Sequence, residues 1–500
     1  MFWLLIILIV YVALVYFNQG RKKYLELSKK LPGDYSCLPI IGHAYLLDRK
    51  KSSNLRFFQP PHLENYELKR AGHNIHRTDK DKLFCPIQSD PVAAEMLLKT
   101  CLDKDKTMDI LQFMVGNGSI YAPVSIWRPR RKLLAPTFNL KRLNRFVDVF
   151  AKQSAIMTDR LQPSAGKRTL SVWKYLTMYT FYSVCETTLG VRINIQDNPN
   201  QEFLESFEEL AELMTKRMLQ PWLHPDWIYQ LLPQYRRADK IFFFGQIIKQ
   251  KRQEMEEKQR EENFSLLEML LETSLKVKGF TDLELREETL VMTVAGSDTS
   301  AVGASFAFVI LARYPEVQER VVEELNEVLG GPDKAVTAED LHRLKYLEAV
   351  VKETLRMYPP VPVIVREVTK DTELKPGVTA PAGTGILLNI WATHRNPRYW
   401  GPDADLFRPE RFLEPLTHPA QFMPFSYGLR NCLGYQYAMM SMKTVLATVL
   451  RKYRILPPAD ADMKSLKEPI RVKFDIMMKA VDMFQIQLEH RTPIISRKIG

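Results

Sequence analysis

The residue in this sequence best placed to do chemistry is a cysteine. Cys432 stands in Phe425-Ser426-Tyr427-Gly428-Leu429-Arg430-Asn431-Cys432-Leu433-Gly434, between two glycines and directly before an apolar helical stretch. Glycines allow close backbone approach, so that amide N–H groups can point at the sulfur. Such an environment favours a thiolate, the form that ligates a metal. A lone cysteine is normally an inert core residue, which is how Cys37, Cys85, Cys101 and Cys185 read. Cys432 differs because Phe425, Gly428, Arg430 and Gly434 surround it at fixed offsets.

A second constellation is Ala295-Gly296-Ser297-Asp298-Thr299-Ser300, which sets an acid beside an alcohol in a mostly apolar segment. Gly296 inside a helix costs about 1 kcal/mol against alanine, and such a glycine often marks close approach by a ligand. The plainer alternative is a capping pair or a core hydroxyl bonded to a carbonyl. A third is Glu353 with Arg356, a carboxylate and a guanidinium three apart on one helix face. Glu257 and Arg260 have the same spacing in a highly charged stretch, so the pair alone is weak. The Glu353 pair is set apart by Met357-Tyr358-Pro359-Pro360, which ends its helix, and by the later Pro409-Glu410-Arg411-Phe412. Trp127 and Arg131 lie in Trp127-Arg128-Pro129-Arg130-Arg131-Lys132, where Pro129 is unusual inside a helix, though tolerable in its first turn.

Positioning these groups falls mainly to helices. Gln201 to Lys216, Gln234 to Glu262, Asp282 to Arg313, Pro315 to Leu329 and Met440 to Tyr453 carry helical patterns. The third is apolar enough from Leu290 onward to be a buried central helix. Thr337 with Asp340 predicts a capping box. Strand-like pieces are few: Val361 to Thr369, Gly385 to Ile390 and the tail Val472 to Leu488. The expected fold is mainly α with a small β part.

Of 500 residues, 46% are hydrophobic and 26% charged, which excludes a disordered chain, a collagen-like fibre and a polytopic membrane protein. Five cysteines argue against a disulfide framework. The net charge of +12 has no basic and aromatic stripe beside it, so no nucleic-acid partner is expected. Residues 1–20 carry no charge, and Met1 to Phe17 are apolar throughout. As a helix that run measures about 25 Å, enough for a thin bilayer. Arg21, Lys22 and Lys23 follow at once, which orients the body towards the cytoplasm. The expected organisation is a transmembrane anchor at 1–20, a basic and Pro/Gly-rich hinge at 21–44, one large catalytic domain at 45–491 and a tail at 492–500. The loop from Leu219 to Ile228 is apolar and broken by prolines. It reads equally as core packing or as a second membrane contact.

The pattern F-x-x-G-x-R-x-C-x-G around Cys432 resembles the haem-binding loop of the cytochromes P-450, at all five fixed positions. The segments around Trp127, Gly296, Glu353 and Arg411 match that family in the same order, and the resemblance runs from the Pro32-Gly33 hinge to about Arg491. It implies a single-domain P-450 fold holding haem b, with Cys432 as the iron ligand. It implies that Trp127, Arg131, Arg366 and Arg430 reach the haem propionates, with Phe425, Gly428, Gly434, Ala295 and Gly296 shaping the cofactor site. Asp298 and Thr299 would deliver the protons that O–O cleavage needs. Glu353, Arg356 and Arg411 would form a buried ion network. Several stretches look like family 4, particularly its insect members, among them Trp127 to Phe138 and Asn431 to Met440. Many members of that family carry a glutamate that esterifies the haem just before the central-helix glycine. Ala295 stands there, so the haem is expected to be non-covalent apart from the Cys432 bond.

The implied activity is insertion of one atom of O2 into a lipophilic small molecule: a fatty acid-like compound, a semiochemical or a xenobiotic. Its expected wall is Leu111 to Tyr121, Val291 to Thr299, Val361 to Val365 and Val481 to Phe484. An NADPH–cytochrome reductase would supply electrons, with cytochrome b5 as a second candidate donor. Arg128, Arg130, Lys132 and Lys443 form the expected basic docking complement. The implied location is the endoplasmic reticulum membrane, on a single-pass anchor. The alternative is a haem-thiolate isomerase or dehydratase acting on peroxides without reductase, or a non-catalytic haem protein.

Overall fold

The computed structural model describes residues 90–191 and 265–491 apart from 277–278, 332, 463–465 and 476. It also describes the strands His76–Thr78 and Lys82–Gln88, and scattered positions between 217 and 253. The expected anchor, hinge and C-terminal tail lie outside the described residues, as do nearly all of the helices expected at Gln201–Lys216 and Gln234–Glu262.

The helices that matter below are α1 (Pro91–Thr100), α2 (Val124–Leu134), α3 (Leu140–Leu161), α4 (Trp173–Val184), α5 (Asp282–Arg313), α6 (Pro315–Leu329), α7 (Ala338–Arg343), α8 (Lys345–Met357) and α9 (Tyr435–Lys452). The strands are β1 (His76–Thr78), β2 (Lys82–Gln88), β3 (Leu170–Ser171), β4 (Val363–Glu367), β5 (Thr372–Lys375), β6 (Val378–Ala380), β7 (Gly385–Asn389), β8 (Tyr453–Leu456), β9 (Val472–Asp475), β10 (Met477–Ala480) and β11 (Gln485–His490). The described chain is mostly helical with small sheets, as its patterning implies.

Two compact units are present. The first contains the described residues up to Thr107, with Val363–Trp400 and His418–Arg430. Its sheet runs β1-β2-β7-β4, with β2 and β7 parallel (Phe84 opposite Gly385) and β4 antiparallel to β7 (Val363 opposite Asn389). β5 and β6 form a separate hairpin. α1 starts where Asp90 accepts a hydrogen bond from the Val92 amide (3.0 Å) and Pro91 opens the first turn. Its Ala94, Leu97 and Leu98 pack with Leu374, Ile386 and Leu388 to form the core.

The second unit is built on α5. Thr281 and Glu284 form a capping box at its start. The helix then runs 32 residues and is buried on nearly every side, packed by α4, α8 and α9. It is long and apolar enough to cross a bilayer, but it is buried inside the protein. α6 begins at Pro315, and α7 opens with the expected Thr337–Asp340 capping box. β3, β11 and β8 make a three-stranded sheet, and β9 and β10 a hairpin. The tail expected as one strand-like piece is therefore three strands, broken by a left-handed corner at Met483 (φ 56°) and Phe484 (φ 61°). Pro129 also departs from expectation. α2 begins at Val124, so the proline falls in the second turn and removes a hydrogen bond to the Ser125 carbonyl.

Candidate active site

Cys85 lies in β2; of the cysteines whose side chains are described, Cys101, Cys185 and Cys432, only Cys432 is exposed. The preceding loop is stiff. Ser426 (φ 62°) and Gly428 (φ 74°) are both left-handed. A Cβ on Gly428 would lie 2.6 Å from the Leu98 carbonyl oxygen, so the backbone rests directly on the end of α1. Phe425 is half-buried in this loop. After the cysteine, Gly434 caps α9, and a Cβ there would meet only the Cys432 sulfur at 3.9 Å. The glycine thus keeps the sulfur's side of the chain open. Arg131 on α2 donates to the Asn431 carbonyl (2.9 Å) and to its side-chain oxygen (2.7 Å), fastening the residue beside the cysteine. Trp127, one turn earlier, is buried. Cys432 is open at its surface, but the protein packed around it desolvates the sulfur and pushes the thiol up, which the Gly434 amide and Arg131 charge partly oppose. A metal bound at this sulfur would favour the thiolate, since a coordinating thiol is deprotonated outright.

In the first unit, Arg366 on β4 is buried and donates to the Val365 carbonyl (3.0 Å). Its Nε has no hydrogen-bond partner among the described residues. Burial, and then the charge of Arg430, lower its pKa to about 10. Arg430, also buried, donates to the Leu102 carbonyl (2.9 Å). Lys104 joins them: burial and both guanidiniums hold its ammonium well below the ordinary lysine range. Three mutually repelling cations with an orphaned buried N–H suit a dianion, and the two carboxylates of haem fit that need. Sequence reasoning found both arginines and missed Lys104, which sits in an unremarkable Asp-Lys-Asp stretch.

On α5, Met292, Ala295, Gly296 and Thr299 are half-buried at spacings of three and four and form one stripe; Val294 is the other half-buried residue of this stretch. Thr299 Oγ1 donates to the Ala295 carbonyl (2.6 Å). The structure brings Thr299 and Ala295 together but sends Asp298 elsewhere. Asp298 is buried, and Lys479 Nζ on β10 lies 3.6 Å from its carboxylate. The same ammonium sits 4.6 Å from the centre of the Trp173 ring. Lys479 gave no sequence signal, because the pairing joins positions far apart in the chain. Gly296 also has a nearer explanation than ligand approach: a Cβ there would stand 3.1 Å from Val184 Cγ2 on α4.

Glu353, Arg356 and Arg411 do come together. Arg356 Nε and Nη2 donate to Glu353 (2.7 and 2.8 Å), and both residues are fully buried. The remaining Arg356 donors reach the carbonyls of Ala404 (2.6 Å) and Leu406 (3.1 Å). Arg411 Nε lies 3.6 Å from Glu353, and its Nη2 pairs with Asp403 (2.8 Å). Asp403 is a fourth member that sequence reasoning missed. Burial works to raise its pKa, but Arg411, helped by Arg408, outweighs that and lowers it.

Two expected docking cations are not available to a partner. Arg130 is buried among Glu284, Glu287 and Glu288. Lys443 is buried and donates to Glu348 (3.0 Å) and the Leu341 carbonyl. Arg128 and Lys132 remain exposed. In the expected wall, Val291 is buried, Val481 and Asp482 are exposed, and Asp482 accepts from the Phe484 amide (3.1 Å).

The family model described as Cytochrome P450 matches residues 87–481. The chain is 34% identical to Cytochrome P450 4d2 of Drosophila melanogaster over 395 residues, 74% of this chain and 78% of that one. It is 30% identical to Cytochrome P450 4c21 of Blattella germanica over 507 aligned residues, covering 97% and 98% of the two chains. To Cytochrome P450 4V2 of Mus musculus the identity is 29%, over 93% and 90%. That family binds haem b through a cysteine thiolate, the chemistry for which an exposed cysteine is suited, and clustered cations suit the carboxylates of haem. The chain belongs to the cytochrome P450 family, is of the family 4 type, and is a haem-thiolate monooxygenase.

Proposed function

We propose that Cys432 is the iron ligand and that the protein oxidises a lipophilic small molecule. The candidates are a fatty acid-like compound, a semiochemical or a xenobiotic. The observation that carries this reading is the exposed Cys432 at the end of a loop locked by Ser426 and Gly428. Arg366, Arg430 and Lys104 would neutralise the haem carboxylates, with Trp127 and Arg131 steadying the segment beside Cys432. Bound haem supplies the redox chemistry that divides dioxygen between substrate and water, with the thiolate donating electron density.

The chain's own residues manage protons and water. Thr299, with its hydroxyl hydrogen committed to the Ala295 carbonyl, offers its oxygen lone pairs to the half-exposed stripe of α5. Asp298 follows as the acid, held in reserve against Lys479. Because residues 298 and 299 point about 100° apart on a helix, the carboxylate must swing or use one water to serve Thr299. The buried, mostly apolar flanks of the stripe limit water and favour an apolar substrate. Electrons come from an NADPH–cytochrome reductase, or from cytochrome b5, docking on a face that includes Arg128 and Lys132 rather than Arg130 and Lys443. The enzyme resides on the endoplasmic reticulum membrane through residues 1–20, with the body in the cytoplasm. A second membrane contact is supported by Trp227 and Leu231, which are 67% and 77% exposed.

The test is reconstitution with reductase, NADPH and a panel of medium-chain and long-chain fatty acids, terpenoids and alkylated aromatics. Thr299→Ala should bind the same compounds with unchanged spectral shifts while most NADPH is diverted to hydrogen peroxide. Unchanged coupling of NADPH to product would remove Thr299 from the proton path. Because position 295 is an alanine, acidified organic solvent should extract all of the haem, and a residue of haem left on the polypeptide would refute the non-covalent assignment.

A further inference from the structure

Arg130, expected from the sequence to lie on a docking face, lies instead at the centre of a buried cluster. Its Nη2 pairs with Glu287 (2.9 Å) and its Nη1 with Glu288 (3.1 Å), both on the first turns of α5. Glu284 stands 3.3 Å away on the same helix. The loop between Val115 and Tyr121 is tied into this cluster through the Asn117 peptide, and Ser119 adds hydrogen bonds to Glu288. The Asn117 amide donates to Glu287 (2.8 Å), and the Asn117 carbonyl accepts from Arg130 (2.6 Å). Both backbone groups of an exposed loop residue are thus satisfied by the two halves of one ion pair.

The flanking glycines show how closely the loop lies on the helix. Gly116 is left-handed (φ 56°), and a Cβ on it would fall 2.2 Å from a Glu287 carboxylate oxygen. A Cβ on Gly118 would fall 2.4 Å from Val291 Cγ2. The backbone bonds within the loop are short-range turns: Gly116 to Gln112 (2.7 Å), Gly118 to Val115 (3.1 Å), and Tyr121 and Ala122 to Gly118 (3.1 Å each). They shape the loop but do not fasten it to α5. Removing Arg130 would leave two buried carboxylates facing each other, and burial already pushes the Glu288 carboxyl up.

We infer that Arg130 is a positioning residue that latches the Val115–Tyr121 loop onto α5 and thereby limits how fast a bulky ligand enters. The part concerning entry rests on the proposed reading of this loop as substrate wall. The latch itself does not.

The experiment uses the full-length holoenzyme and its Arg130→Gln, Arg130→Lys and Lys132→Gln variants. Backbone hydrogen exchange is followed by mass spectrometry, alongside haem content and the reduced carbon monoxide spectrum. Arg130→Gln should keep the spectrum and accelerate exchange of the 116–121 amides about tenfold, with the rest of α5 unchanged. Arg130→Lys should restore part of the protection, because it keeps the charge but cannot bridge both glutamates and the carbonyl. Lys132→Gln, on the same helix but exposed, should leave exchange of the 116–121 amides as it is in the parent protein. Association of clotrimazole, a bulky azole, should accelerate in Arg130→Gln while association of imidazole does not. Unchanged loop exchange in a haem-replete Arg130→Gln protein overturns the latch, as does a rise spread over the whole domain. Faster loop exchange without faster clotrimazole binding overturns the link to entry and, with it, the wall reading. Should Arg130→Gln fail to fold, Gly116→Ala pushes the loop off Glu287 without altering any charge. It should give the same local acceleration, and its absence overturns the latch.

Discussion

Cys432→Ala will give a protein that, reduced and exposed to carbon monoxide, lacks the red-shifted Soret band of thiolate-bound ferrous haem. The loss should be complete rather than graded. Among the described cysteines, Cys101 and Cys185 are buried in the cores of their units, so neither can substitute. Cys185 is further disqualified by burial that pushes its thiol far up. Folding should be largely spared, because Cys432 is exposed and alanine removes little packing. Far-ultraviolet circular dichroism separates the two effects. A variant with native dichroism and an unchanged band would remove Cys432 as the ligand. Cys432→Ser should behave like the alanine variant, since a hydroxyl does not replace the thiolate's charge and polarisability.

Arg356→Ala should destabilise the protein by about 3–5 kcal/mol, the range seen when one partner of a buried ion pair is removed. Glu353 would be left fully buried, keeping only the long Arg411 contact and the Arg408 amide (2.9 Å). Two backbone carbonyls, of Ala404 and Leu406, would also lose their donor. Against a typical total of 5–15 kcal/mol, such a loss lowers the yield of haem-bound protein steeply. Lys452→Ala is the control. Its pair with Asp159 has a 3.4 Å separation but is 33% and 68% exposed, so solvent screening leaves it worth less than about 1 kcal/mol. Urea midpoints for the two variants check the contrast. Comparable small shifts would mean that the Glu353 network does not hold this region together. Glu353→Gln should be costly too, because an amide cannot accept from Arg356 through both side-chain atoms.

Local patterns in the chain were sufficient for much of this. The cysteine loop, the Glu353–Arg356 pair, the bounds of α5 and α6, and the Thr337 capping box could all be read beforehand. Each depends on residues within a few positions of one another, where backbone geometry dictates who meets whom. The resemblance added Arg411, Arg366 and Arg430, which no local pattern could have connected. Only the tertiary structure brought Asp403 to the ion network, Lys104 to the cation cluster and Lys479 to Asp298. It also turned Arg130 and Lys443 inward, placed Pro129 in the second turn and gave Gly296 a neighbour in Val184. The reason is common to all of these. A side chain's burial, and therefore its charge state and partners, is set by whichever distant segment packs over it. Spacing along the chain specifies a face of a helix but not what that face will meet.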